Sequence, residues 1–244
     1  MQYTTPLMNT LSLTFDLRIR PQQIYDFRRA IIALAGTGND LFHNREVLPD
    51  GSEGHPLQRY PKIQYRIQDG YASLWAMNEG VDALKALMKP KEGFDQFEMF
   101  GIHTPLRIIQ KTEDRNFSCE VNEFQIYRLR HFLPFNTEKY QEYQASELFK
   151  DKITLLEQGI LNELVLFSYA AGWTLPEKPR LKVQLKDILH LSTGRYKTAD
   201  DHGRMVFKYS KAFDLLLQIN AWLPEDISLG RHKAYGYGVL SAPG

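Results

Sequence analysis

Leu11, Leu13, Phe15, Leu17 and Ile19 alternate with Ser12, Thr14, Asp16 and Arg18, the pattern of a strand with one buried face. The order of elements after that strand restricts the fold most. Pro21 opens a helix at its first turn, where a missing N–H costs nothing. Ile24, Phe27, Ile31 and Leu34 come next at helical spacing, and Gly36 and Gly38 end it. Strands are expected at Ile63 to Ile67 and Tyr71 to Met77, joined by the turn Asp69-Gly70. Asn78 is placed to cap a helix carrying Val81, Leu84 and Leu87, closed by Pro90; Phe94 to Ile102 reads as a fourth strand. Strand, helix, strand, strand, helix, strand is the split βαβ order of a ferredoxin-like unit.

The second half reads as another α+β unit, with a boundary near residues 104–115. Strands at Leu106 to Ile109 and Phe117 to Leu129 flank an expected turn at Asp114-Arg115-Asn116, and an aromatic loop with a helical turn runs from Phe132 to Tyr143. A long helix is expected from about Ser146 to Tyr169, burying Leu148, Ile153, Leu156, Ile160, Leu164 and Phe167. Strands are expected at Leu181 to Leu189 and Met205 to Tyr209, with a turn at Asp200-Asp201 before Gly203. Ala212 to Asn220 suits a strand or a buried helix, and periodicity leaves both open.

The chain closes on Ile227-Ser228-Leu229-Gly230-Arg231-His232-Lys233-Ala234-Tyr235-Gly236-Tyr237-Gly238. Gly230, Gly236 and Gly238 let backbone N–H groups approach a ligand. Arg231, His232 and Lys233 can bind an anion, and Tyr235 and Tyr237 can stack on a flat base. A nucleotide P-loop needs Gly-Lys-Ser/Thr and a helix after it; here only Val239 to Gly244 remain, enough for one short strand. The loop therefore suits nucleic acid, or a plain hairpin before a terminal strand.

A net charge of +1 means that any RNA-binding surface must be a local patch. The single cysteine, Cys119, excludes an internal disulfide and a cysteine-based zinc site. No His-Glu-x-x-His or paired aspartate cluster is present, so no metal or other cofactor is expected. No apolar run approaches the ~18 residues of a membrane span, and no signal peptide is evident. A cytoplasmic protein without membrane contact is expected.

Phe27-Arg28-Arg29-Ala30, Leu41-Phe42-His43-Asn44, Arg59-Tyr60-Pro61-Lys62-Ile63-Gln64-Tyr65 and Asn78-Glu79-Gly80-Val81-Asp82-Ala83-Leu84 resemble the N-terminal half of the CRISPR repeat-RNA endoribonucleases of the RAMP superfamily, in their "b" subgroup. Leu133-Pro134-Phe135-Asn136-Thr137-Glu138-Lys139-Tyr140 resembles that subgroup's "LPLNxxNY" segment, and Leu223-Pro224-Glu225-Asp226-Ile227 through Gly238 its C-terminal glycine-rich signature. The matches occur in order from about residue 11 to 240.

The resemblance implies an α+β fold of two tandem ferredoxin-like (RRM-related) domains, 1–105 and 106–244. It implies metal-independent cleavage of precursor CRISPR RNA within its repeats: the 2′-OH attacks the adjacent phosphate, leaving 2′,3′-cyclic phosphate and 5′-OH ends. It implies CRISPR repeat RNA as partner, with other effector subunits as further partners, and a monomer or homodimer. The candidate catalytic residues are His43, His55 and Tyr60, with Arg45 stabilising charge. The candidate RNA contacts are the glycine loop, Arg59 and Lys62. The family commonly has His-Asn-His where this chain has His43-Asn44-Arg45, and Gly where it has Ser228. Arginine holds its proton near neutral pH but stabilises a pentavalent phosphate. The alternatives are a repeat-RNA binder that does not cut, or a subunit of a guide-RNA complex held by protein contacts.

Overall fold

The computed structural model describes residues 7–50, 53–89, 94–199 and 205–243. The turn expected at Asp200-Asp201 lies outside them, as does His202. β1 (Leu7–Arg18) leads through a 3-10 turn, Pro21–Gln23, into α1 (Ile24–Ala35). Ile24, Phe27 and Ile31 form the buried stripe of α1. α2 (Asp40–His43) is one turn, capped by the Asn39 side chain accepting the Leu41 N–H. β2 (Arg45–Val47) and β3 (Glu53–Pro56) pair as a small hairpin. β4 (Ile63–Gln68) and β5 (Tyr71–Met77) meet at Asp69-Gly70. Both turn residues have positive φ, 51° and 83°, which suits the twist of a hairpin. Before α3 (Glu79–Met88), Asn78 does not cap with its side chain; its Oδ1 accepts the Asn9 N–H at 3.2 Å.

The fourth strand is not at Phe94 to Ile102. That segment forms a 3-10 turn, Phe94–Gln96, and a short hairpin of β6 (Glu98–Met99) and β7 (Ile102–His103). Phe94 and Phe97 fill the core from outside any strand, so their apolar content mimics a strand. The strand beside β1 is β8 (Ile108–Ser118), antiparallel to it. The first sheet thus has the order β4-β5-β1-β8. β8 runs through the turn expected at Asp114-Arg115-Asn116, with Asp114 opposite Thr10. Beyond Cys119 the chain continues as β9 (Glu120–Phe132) into the second sheet. The last strand of the first sheet ends at Ser118 and the first of the second sheet begins at Glu120.

α4 (Thr137–Ala145) and α5 (Phe149–Ala171) come next, then the long hairpin of β10 (Val183–Ala199) and β11 (Met205–Trp222), and β12 (Val239–Ser241). Ala212 to Asn220 is strand, its Leu215, Leu217 and Ile219 buried on one face. The order β10-β11-β9-β12 repeats that of the first sheet. The second crossover carries no α-helix: residues 223–238 make it as a loop with one 3-10 turn, Lys233–Tyr235.

Both faces of the first sheet are covered. Leu11, Leu13 and Phe15 pack with Phe27, Ile31 and Leu84. Met8, Trp75 and Met77 join Leu156, Ile160, Leu164 and Phe167 of α5 in the second core. The face of β4 and β1 that alternation assigns to solvent is therefore a seam between the halves, and Thr10, Thr14, Gln64 and Arg66 are buried there.

At Gly80 a Cβ would lie 2.3 Å from the Lys62 carbonyl oxygen. Gly→Ala inside a helix ordinarily adds about 0.5–1 kcal/mol. Gly80→Ala should do the reverse and lower stability by about 1–3 kcal/mol, the range for overpacking, read by urea unfolding.

Candidate functional site

The corner between α2 and β2 holds the first candidates. His43 is 2% exposed. Its Nε2 lies 2.9 Å from the Thr37 carbonyl, and its Nδ1 accepts the Arg45 backbone N–H at 3.2 Å. These bonds place the proton on Nε2 and leave neither nitrogen for a substrate. The His43 carbonyl accepts from Arg28 Nη2 at 2.5 Å. Arg45 Nη1 donates to the Gly54 carbonyl at 3.0 Å, closing the β2–β3 hairpin. His55, on β3, is exposed. Arg59 donates to Asn44 Oδ1 at 3.0 Å and pairs with Asp40 at 3.0 Å. Lys62 pairs with Glu79 at 3.0 Å, and its Nζ donates to the Ala170 carbonyl at the end of α5.

Tyr60 is 1% exposed, edge-on to Phe167 with ring centroids 5.4 Å apart. Its hydroxyl accepts the Ser228 N–H and the Gln64 amide, both at 3.0 Å. Burial raises its pKa well above the phenol range. The expected catalytic tyrosine is instead a buried clamp between β4 and the glycine loop. Beside it, Arg66 Nη2 donates to Gln64 Oε1 at 2.6 Å, Ser228 Oγ at 3.2 Å and the Asp226 carbonyl.

The glycine loop lies in the seam, and its glycines admit protein rather than a ligand. A Cβ at Gly238 would fall 1.8 Å from the Leu229 carbonyl oxygen, and one at Gly230 2.7 Å from the Phe132 ring. Two of its cations turn toward the protein. Arg231 Nη1 donates to the Phe135 carbonyl at 3.0 Å; Lys233 pairs with Glu163 at 2.5 Å and donates to the Gly230 carbonyl at 3.1 Å. His232 stacks on Tyr196, centroids 4.1 Å apart, with its Nε2 buried and unpartnered. Burial and then Arg231 push its pKa down from 6.5 to about 4.

Tyr235 and Tyr237 are half-buried and reach a cleft of 510 Å³ between the halves, walled also by Tyr25, Phe207, Arg195 and His131. Arg28 Nη1 donates to the Tyr235 hydroxyl at 3.0 Å, so one guanidinium joins the His43 corner to this cleft. Sequence reasoning missed Arg28, Tyr25, Phe207 and Arg195 as site residues. Arg28 had a signal: it borders the apolar stripe of α1 within a family-like segment. The hairpin residues had none. Among the described residues, no three His, Cys, Asp or Glu side chains converge as metal ligands, and no helix is long and apolar enough to cross a membrane.

Two ferredoxin-like units in tandem, the second with a glycine-rich loop as its last crossover, form one class of fold, and the sequence agrees. Residues 7–105 match the Cas6b N-terminal domain and residues 119–242 the Cas6b C-terminal domain. The chain belongs to the Cas6b family. A crystal structure of Cas6b aligns over 96% of this chain and 99% of its own, with TM-score 0.69 and 16% identity. A second, of the CRISPR RNA processing endoribonuclease Cas6b, covers 96% and 98%, with TM-score 0.64 and 16% identity. Csf5, a CRISPR-Cas type IV Cas6 crRNA endonuclease, covers 98% and 100%, with TM-score 0.59 and 12% identity. At these identities the likeness is one of fold. No curated protein matches the chain.

Tyr60→Phe leaves the buried Ser228 N–H without its acceptor and should cost about 1–3 kcal/mol in thermal or urea unfolding. His232 binds its proton less readily folded than unfolded. Stability from this residue is therefore complete above pH 6.5 and is lost as pH falls toward 4. It amounts to roughly 3 kcal/mol. His232→Phe should flatten the unfolding free energy across that window.

Proposed function

We propose that this Cas6b protein is an endoribonuclease that cuts precursor CRISPR RNA within its repeats, without a metal ion. The observation that carries the reading is the ordered match of both halves to Cas6b; the names of the structures that share its fold support it. The ribose 2′-oxygen attacks the adjacent phosphorus as its P–O5′ bond breaks, leaving a 2′,3′-cyclic phosphate and a 5′-OH. The step needs an acceptor for the 2′-OH proton and positive charge near the phosphorane.

We assign the acceptor to His55, the exposed imidazole of the β2–β3 hairpin. Arg45, across the hairpin from Pro56, stabilises the phosphorane, and the leaving 5′-oxygen takes its proton from solvent. His43 is a positioning residue: it fixes the Arg45 backbone and, through its carbonyl, Arg28. The bonded ring of His43 favours one rival, a repeat-RNA binder that does not cut.

His55→Ala should slow cleavage at least ~100-fold, the scale for losing an acid–base group, with repeat binding changed less than ~3-fold. Gel assays in EDTA with end-mapping of products check it. Full-rate cutting by His55→Ala removes that residue from the mechanism. Tight repeat binding by the wild type with no cyclic phosphate establishes the non-cutting binder.

A further inference from the structure

We propose that the cleft between the halves is a subsite for one unpaired nucleobase, splayed out from the bound RNA. The inference rests on the RNA-processing function proposed for the chain and adds the ligand of a particular site. The cleft measures 510 Å³, within the ~300–1,000 Å³ of sites that enclose small ligands. That volume suits a base with its ribose.

Its walls are flat rings from three parts of the chain. Tyr25 from α1 lies against Tyr235 of the loop, centroids 4.5 Å apart and planes 42° apart. Tyr237 adds a third ring, and Phe207 of β11 a fourth. The Arg195 guanidinium lies 3.7 Å over the Phe207 ring, a second planar group there. Unpaired RNA bases are held by such aromatic faces and guanidinium planes. Gln22, His131, Ser192 and Thr193 also line the cleft and offer donors and acceptors to a base edge. Among the described residues, none that lines the cleft is a carboxylate.

The rings are held in place without the RNA. The Tyr235 hydroxyl accepts from Arg28 at 3.0 Å, and the Tyr237 hydroxyl donates to the Arg195 carbonyl at 2.7 Å. At Gly194 a Cβ would lie 2.8 Å from Leu133 and 3.4 Å from the Tyr237 ring, so only glycine lets that ring press on the hairpin. Both phenol oxygens are engaged by protein, and both residues line the cleft. Phe207 is 37% exposed.

The test titrates the full chain with the CRISPR repeat RNA of its own genome, carrying 2-aminopurine at each unpaired position in turn. Quenching should occur at one position. An abasic nucleotide there should weaken binding about 5- to 150-fold, the scale of one base–aromatic contact. Phe207→Ala should weaken intact RNA by the same factor and leave the abasic RNA unchanged, while Phe207→Tyr retains affinity. If the wild type binds and cuts the repeat but no position is quenched, the subsite is overturned and the function stands. The same holds if Phe207→Ala weakens both RNAs equally. If the wild type does not bind the repeat, the functional reading fails and the subsite with it.

Discussion

The guanidinium of Arg66 carries a charge into the seam between the two halves, where it is 8% exposed. Burial pulls its pKa down to about 10, against the opposing pull of Asp226. A buried cation is costly unless hydrogen bonds and opposite charge offset its lost hydration. Here Gln64 comes from the same strand, while Ser228 and the Asp226 carbonyl come from the glycine loop. The Trp75 ring lies beneath it, 5.0 Å from centroid to guanidinium carbon. Its Nε is buried without a partner, so the bonds of Nη2 are what hold the charge, and they come from both halves. The loop must be in its place for the guanidinium to make them, which ties the two units together.

That constraint explains the glycine-rich segment better than ligand approach does. The crossover from β11 to β12 has no α-helix, and the chain fills the space with backbone lying against backbone. Leu229 and Gly238 bond each other, N–H to carbonyl, at 2.7 Å, and Gly238 donates to the His131 carbonyl at 3.1 Å. A side chain at Gly238 would overlap Leu229, and one at Gly230 would overlap Phe132 and the Leu133 carbonyl. Arg231 and Lys233 are anchors for the same reason: a loop without regular secondary structure leaves carbonyls that need donors. What the loop contributes to the cleft wall is Tyr235, Gly236 and Tyr237.

The strand and helix periods made most of the fold legible, because amphipathic elements announce their buried side. β1, α1, the β4–β5 hairpin and α3 bury or half-bury the residues that spacing selects, and α5 does so for all but Leu148, which precedes the helix and is 63% exposed. Three things were not legible. Phe94 and Phe97 fill the core from outside any strand, and nothing local separates that from a strand. Gln64 and Arg66 occupy the polar phase of an alternating strand, which sequence assigns to water. Only the second half, far along the chain, turns that face into an interior. His43 could be picked out by type and neighbourhood, yet its burial depends on Thr37 and the Arg45 backbone, contacts a linear motif does not contain.

The corner at His43-Asn44-Arg45 places a chemical limit on any mechanism. An imidazole bonded at both nitrogens and shut from water can exchange a proton with substrate only by breaking those bonds and opening the α2–β2 turn. Asn44 holds that turn in the left-handed region, φ 53°, and its side chain bonds the Leu57 carbonyl and Arg59. Opening would therefore strip several hydrogen bonds at once, each worth about 1 kcal/mol net. A barrier of several kcal/mol added to every turnover would slow catalysis by orders of magnitude. An exposed histidine on the adjoining hairpin meets no such barrier. That barrier is the physical reason behind the proposed division of labour, in which the buried ring holds the corner's shape and an exposed side chain takes the proton.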